Sequence, residues 1–186
     1  METVTVKLSD EVAERAAKIR LLIFDVDGVL TDGRLYFDDN GIESKAFHSL
    51  DGHGMKMLRD GGVEMAIITG RQSDTVKYRM ENLGISLVHQ GQRDKRPAYH
   101  ALLEQLKLSP EQVAYMGDDV VDLPVMTQVG LAIATADAHS MVLKHAHWVT
   151  EKNGGAGAAR NACEMLLHAQ GKLEAMLQSY IACNAD

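Results

Sequence analysis

Short apolar runs recur along the chain, separated by longer stretches in which apolar residues return at helical spacing. Leu21 to Phe24 is continuous, and so are Met65 to Ile68 within Val63 to Thr69. Ser86 to His89, Val113 to Gly117, Leu131 to Ala134 and His147 to Thr150 complete the series. Continuous rather than alternating apolarity predicts strands covered on both faces, as in a parallel sheet. Between the runs, helices are predicted over Ser9 to Lys18, Asp51 to Asp60, Ser73 to Asn82, Pro97 to Lys107, Leu123 to Val129 and His139 to His145. The first takes Val12, Ala13, Ala16 and Ala17 as a weak apolar face, with Ser9 or Asp10 as its cap. Met55, Met57 and Leu58 make the stripe of the second, which Gly61-Gly62 ends. Ser73 is expected to cap the third, and Gly84 to stop it. Ser109 to Gln112 has the pattern of a capping box before a single turn. A last helical region, Ala158 to Ala182, is expected to kink at Gly171. The alternation predicts an α/β fold, a Rossmann-like parallel sheet with helices on both faces.

One interval breaks the rhythm. Arg34 to Phe37 and Glu43 to Phe47 flank Asp38-Asp39-Asn40-Gly41, and Asn-Gly between β-prone runs predicts a hairpin inserted after the first strand. It is too small to fold alone, so its apolar side chains need the parent domain or another subunit.

At 186 residues the chain is expected to be one domain with a core that needs no disulfide. Cys163 and Cys183 are unpatterned and suggest a reducing compartment rather than a metal or redox site. Met1 to Asp10 has no apolar core of signal-peptide length, and no run reaches membrane-span length, so a cytoplasmic protein with no membrane partner is expected. A net charge of −7 argues against general nucleic-acid binding. Any anionic substrate must then meet cations gathered locally.

The strand ends supply them. The first runs into Asp25-Val26-Asp27-Gly28, the second into Thr69-Gly70-Arg71, and the fourth into Gly117-Asp118-Asp119, with Asp122 three residues on. Lys95 lies in a basic loop, Gly91 to Pro97, that feeds a helix. Ligands of open α/β sheets bind at the carboxyl ends of the strands. Carboxylates there attract a hard cation, and hydroxyl and cationic groups attract phosphate. Mg2+ suits such an all-oxygen site, with Asp25 and Asp118 as side-chain ligands and Asp27 through its carbonyl. Asp119 and Asp122 could orient ligand waters, and Asp122 could also cap the next helix. Asp25 is placed to be the nucleophile of an aspartyl-phosphate, with Asp27 as proton donor and acceptor and Thr69 and Lys95 holding phosphoryl oxygens.

Taken in order, these four motifs resemble the haloacid dehalogenase superfamily of phosphotransferases. More closely, Asp25-Val-Asp-Gly-Val-Leu-Thr-Asp-Gly, Lys45-Ala-Phe, Asp51-Gly-His-Gly-Met, Ala66-Ile-Ile-Thr-Gly-Arg, Gln90-Gly-Gln, Tyr115-Met-Gly-Asp-Asp-Val-Val-Asp-Leu-Pro, Ala136-Asp-Ala-His and Gly154-Gly-Ala-Gly-Ala resemble the 3-deoxy-D-manno-octulosonate 8-phosphate phosphatase family. The resemblance implies a sugar-acid phosphate substrate, a role in lipopolysaccharide biosynthesis, no cap domain, and a homotetramer packed through hairpin 33–47. It implies substrate contacts at Asp27, His48, Ser49, Leu50, Asp51, Gly52, Lys56, Arg71, Arg79 and Lys95. It also implies a mobile cover in the glycine-rich stretch Gly154 to Arg160, within the tail 153–186. Leu50 and Lys56 depart from the arginines of some relatives, and Asn161 from an acidic residue. Two alternatives stand beside this reading: a phosphatase for a related sugar acid such as a nonulosonate 9-phosphate, and a non-catalytic oligomerisation module.

Overall fold

The computed structural model describes residues 8–182. In chain order its strands are β1 (Leu21–Phe24), β2 (Tyr36–Phe37), β3 (Glu43–Ser44), β4 (Glu64–Ile68), β5 (Leu87–His89), β6 (Val113–Gly117), β7 (Leu131–Ala134) and β8 (Trp148–Val149). The helices are α1 (Asp10–Ala17), α2 (Ser49–Asp60), α3 (Asp74–Leu83), α4 (Arg96–Leu106), α5 (Leu123–Met126), α6 (Ser140–His145), α7 (Ala158–Ala169) and α8 (Leu173–Ala182). Among the described residues, six strands pair in parallel in the order β5-β4-β1-β6-β7-β8. The chain winds outward from β1 on one side and returns on the other. The crevice between β1 and β6 is therefore the switch point at which such sheets bind ligands.

The continuous apolar runs have a simple cause. Leu22, Phe24, Met65, Ile67, Met116 and Ile133 pack on one face with residues of α1, α2, α3 and α7. Leu21, Ile23, Ala66, Ile68, Tyr115 and Ala132 pack on the other, against α4, α5 and α6. With side chains alternating between two covered faces, β1 and β7 have no position left for a polar residue. Each large side chain so buried contributes about 1.5–3 kcal/mol.

Several local expectations change. Helix α2 starts at Ser49, two residues early, because His48 Nδ1 accepts the Leu50 N–H at 3.2 Å. Ser73 precedes α3 without capping it; its own N–H goes to Gln90 Oε1. Ala17 is exposed, so the buried face of α1 is Val12 and Ala16. The C-terminal region is two helices, parted where Gly171 takes a φ of +68°. Cys163 is a free thiol in the core on α7, and burial raises its pKa; Cys183 lies outside the described residues.

The hairpin forms, with Tyr36 opposite Ser44 and Phe37 opposite Glu43. Gly41, at φ +78°, closes a turn in which Asp38 Oδ1 accepts the N–H groups of Asn40 and Ile42. Leu35, Tyr36, Phe37 and Ile42 remain exposed.

The glycine-rich stretch, expected to be a mobile cover, is packed into the domain here. Gly154 and Gly157 are buried, Gly155 donates its N–H to Val29 O at 3.0 Å, and Gly154 donates to Asp137 Oδ1 at 3.0 Å. A Cβ at Gly154 would overlap the carbonyl oxygen of Gly28. Asn161 Oδ1 accepts the Glu151 N–H at 2.8 Å, pinning the same segment. The stretch braces the turn after β1.

Candidate active site

Strands β1, β4 and β6 end side by side, and their next residues face one cavity of about 300 Å³. Asp25, Asp27, Gly33, Thr69, Gly70, Arg71, Lys95, Asp118, Asp119 and Val121 line it. The strand register brings them together: Phe24 pairs with Ile67 and Met116, so Asp25 leaves β1 level with the ends of both neighbours. The chain then turns at Gly28, at φ +89°, where a Cβ would overlap the Asp118 carboxylate. Only glycine admits both this conformation and this approach.

Asp25 is buried. Its Oδ1 accepts the Val26 N–H at 2.7 Å, and its Oδ2 lies 2.9 Å from Lys95 Nζ. Lys95 occupies the residue before α4, and its ammonium is buried as well. It donates to Asp122 Oδ1 at 2.6 Å and to the Tyr115 hydroxyl at 3.1 Å. Burial opposes the lysine's charge, yet Asp25 and Asp122 outweigh it and raise the pKa. Asp25 is pushed up to about 6 by burial and then by the Asp122 charge, with Lys95 pulling the other way.

Asp122 was expected to orient ligand waters or to cap α5. Its side chain caps nothing in α5. Instead Oδ2 accepts the N–H groups of Asp118 and Asp119 at 3.0 and 3.2 Å, and Oδ1 accepts from Lys95 and from the Tyr115 hydroxyl at 2.7 Å. It ties the loop after β6 to the buried lysine. Tyr115 stands in one of the motifs of the resemblance, but its position in an apolar strand gave no sign of a hydroxyl partner in the site. Asp119 is exposed at the rim, with Oδ1 accepting the Val120 N–H.

Oxygens of Asp25, Asp118 and Asp122 lie within 4.8 Å of one another. Both Asp122 oxygens and both Asp25 oxygens already have partners, so the unsatisfied member of the cluster is Asp118. Asp118 Oδ1 is buried without a hydrogen-bond partner. Burial, then Asp122, Asp25 and Asp119, push this carboxyl up to about 8. An orphaned buried oxygen among repelling carboxylates is what a hard divalent cation satisfies, so the donor set fits Mg2+.

The remaining expected contacts divide. Arg71 lines the cavity, its Nε 3.9 Å from Asp27 Oδ2 and its Nη2 2.8 Å from Glu43. His48, Asp51, Gly52 and Arg79 line a separate narrow cleft with Phe47 and Leu83, where the Arg79 guanidinium lies 5.8 Å above the Phe47 ring. The Asp51 carboxylate turns away from the phosphate cavity: Oδ1 accepts the Arg160 N–H at 2.8 Å at the start of α7. That is a favourable place for an anion, although burial raises the Asp51 pKa. Ser49, Leu50 and Lys56 are exposed on α2 and line neither. His53 is exposed, edge-on to Tyr180 at 5.3 Å between ring centroids. His147 is structural: its Nδ1 accepts the Ala132 N–H at 2.8 Å.

A doubly wound sheet with carboxylates, a threonine and a buried lysine at its switch point is the layout of a phosphate-handling hydrolase. In agreement, residues 85–161 match the family model of the haloacid dehalogenase-like hydrolases. The 3-deoxy-D-manno-octulosonate 8-phosphate phosphatase KdsC of Yersinia pestis is 52% identical over 167 residues, which cover 90% of this chain and 89% of that protein. KdsC of Escherichia coli K12 is 50% identical over the same shares. The crystal structure of the Moraxella catarrhalis phosphatase, in complex with magnesium ion, phosphate ion and KDO, is 37% identical. It covers 92% of this chain and 98% of its own, with a TM-score of 0.90. The chain belongs to the 3-deoxy-D-manno-octulosonate 8-phosphate phosphatase family.

Proposed function

We propose that this protein releases phosphate from 3-deoxy-D-manno-octulosonate 8-phosphate, in lipopolysaccharide biosynthesis, through an aspartyl-phosphate on Asp25. The observation that carries the reading is the buried Asp25–Lys95 pair beside the orphaned Asp118 oxygen, in a cavity open to a phosphate. Asp25 attacks phosphorus as the nucleophile. Lys95 offsets its charge and, with Thr69, holds phosphoryl oxygens. Asp27 passes a proton to the leaving sugar oxygen, then takes one from the water that opens the acyl phosphate. Asp25, Asp118 and the Asp27 carbonyl would hold Mg2+, with Asp119 and Asp122 behind them. When bound, the cation supplies charge stabilisation for the transferring group.

Arg71 is suited to the sugar-acid end of the substrate. A second set of substrate contacts is assigned to His48, Asp51, Gly52 and Arg79, which line the narrow cleft, and to Ser49, Leu50 and Lys56, exposed on α2. We assign the hairpin, 33–47, to assembly of a homotetramer: Leu35, Tyr36, Phe37 and Ile42 expose apolar surface that a second copy would cover. The chain is read as one domain with a helical tail, 153–186, after the glycine-rich break. A cytoplasmic setting fits the free buried thiol of Cys163. Among the described residues no helix is long and apolar enough to cross a membrane.

The test is phosphate release from a panel of sugar phosphates, with and without Mg2+. Turnover of the octulosonate 8-phosphate well above the rest, abolished by chelation, is expected. Preference for a nonulosonate 9-phosphate would move the substrate assignment, and no turnover of any phosphate would refute the enzyme reading.

A further inference from the structure

Lys45 stands one residue past β3, at the foot of a hairpin whose strands face solvent. Its side chain is nevertheless only 1% exposed. The ammonium meets the Asp27 carboxylate and, at 3.4 Å, Glu43 Oε1. The same Glu43 oxygen receives Arg71 Nη2 at 2.8 Å, and Arg71 reaches back to Asp27 through Nε at 3.9 Å. Two carboxylates and two cations thus alternate in a closed ring. Asp27 and Arg71 line the phosphate cavity; Lys45 and Glu43 sit behind them. The two aspartates of the motif therefore have separate lysines: Asp25 has Lys95, and Asp27 has Lys45.

Burying an ammonium is costly unless carboxylates face it, so removing a partner frees the geometry of the others. An aspartate side chain has two rotatable bonds. Asp27 Oδ1 is held by Lys45, and Arg71 approaches Oδ2 from the other side. These two contacts fix the plane of the carboxyl group. Glu43 holds both cations in place, and it is the member that belongs to a hairpin strand.

We propose that Lys45 is a positioning residue that aims the Asp27 carboxyl at the oxygen leaving phosphorus, with Glu43 as its anchor. The inference rests on the reading of Asp27 as proton donor given above. In the first half-reaction, with Asp27 in its protonated form, Asp25 forms a bond to phosphorus, the bond from phosphorus to the sugar oxygen breaks, and the Asp27 proton goes to that oxygen. In the second, water attacks phosphorus, its proton returns to Asp27, and phosphate leaves with Asp25 restored. A carboxyl free to rotate would still face the cavity but would miss the oxygen part of the time.

The dependence on the leaving group separates aim from general damage. A sugar alkoxide needs a proton to leave, whereas p-nitrophenolate departs as an anion. In full-length protein with Mg2+, leaving-group release in the first turnover is measured by rapid quench for both substrates. Lys45→Met is expected to slow release from the sugar phosphate about 100-fold. The loss on p-nitrophenyl phosphate is expected to be at least tenfold smaller, and Lys45→Arg to recover part of the difference. Glu43→Gln, which keeps the lysine, is expected to shift the same ratio less, and it serves if Lys45→Met fails to melt cooperatively. Equal losses on both substrates, or no loss on either, would overturn the proposal. Wild-type protein inactive on both substrates would instead sink the enzymatic reading itself.

Discussion

The carboxyl edge of the sheet and the hairpin beside it solve the same problem differently. At the sheet edge, charge is buried and nearly every charged group has a partner within the chain: Lys95 with Asp25 and Asp122, Asp122 with two backbone N–H groups. In the hairpin, large apolar side chains stand in solvent. In the first region the buried charges are paired, because an unpaired buried charge costs several kcal/mol. The second has no partner surface within the described residues. The charged groups of the cavity are thus paired within one subunit, while the hairpin's apolar surface is what the proposed second copy would cover. The ion ring around Lys45 is the join between the two.

The largest effect expected from breaking this contrast lies at Asp25. Asp25→Asn should lower turnover on the order of 10⁴-fold, since the proposed nucleophile is lost with little change in shape. Unchanged turnover would end the covalent mechanism. Next comes Gly154→Ala, whose Cβ would collide with the Gly28 carbonyl and shift the turn carrying Asp27. A displacement of that kind is expected to cost roughly 100-fold in kcat. Steady-state kinetics indistinguishable from wild type would show that the brace does not position the site.

Protons and metal sharpen the comparison further. Asp25 is pushed up to about 6 and Asp118 to about 8, against about 4 in an unfolded chain. Between those values the folded, metal-free protein holds more protons than the unfolded one, so its stability falls as pH rises from about 4 to 8. Thermal melts in chelator should show the melting temperature dropping from pH 5 to pH 8. With Mg2+ present the drop should shrink, because a cation that binds the carboxylates favours the folded state. A chelated protein equally stable at both pH values would contradict the reading of Asp118.

The smallest effect on the chain itself belongs to the hairpin. Phe37→Asp should change the stability of the isolated subunit by no more than about 0.5 kcal/mol, as exposed positions do. The species seen by light scattering should nevertheless fall below a tetramer. A tetramer that survives both Phe37→Asp and Ile42→Asp would remove the hairpin from the interface.

Much of this molecule was open to reading from the chain. A strand covered on both faces must be continuously apolar, so β1, β4, β6 and β7 announce themselves. The polar residues that follow them must then fall at the sheet's carboxyl edge. Asp25, Thr69 and Asp118 were found in that way, and Lys95 as part of a basic loop that feeds a helix. The boundaries of α2 and α3 were less legible, because His48 caps a helix that Asp51 seemed to open, and Ser73 declines a cap it seemed made for.

What the sequence determined by itself was the doubly wound sheet and the list of groups at its switch point, because periodicity and strand ends are local properties of the chain. Only the tertiary structure decided the pairings: Tyr115 with Asp122, Lys45 with Asp27, Asp51 with the start of α7, and Gly154 under Gly28. All but the first join segments far apart in the chain, and the first depends on how the loop after β6 folds back on its strand. A buried charge or an absent Cβ has meaning only once its neighbour has arrived.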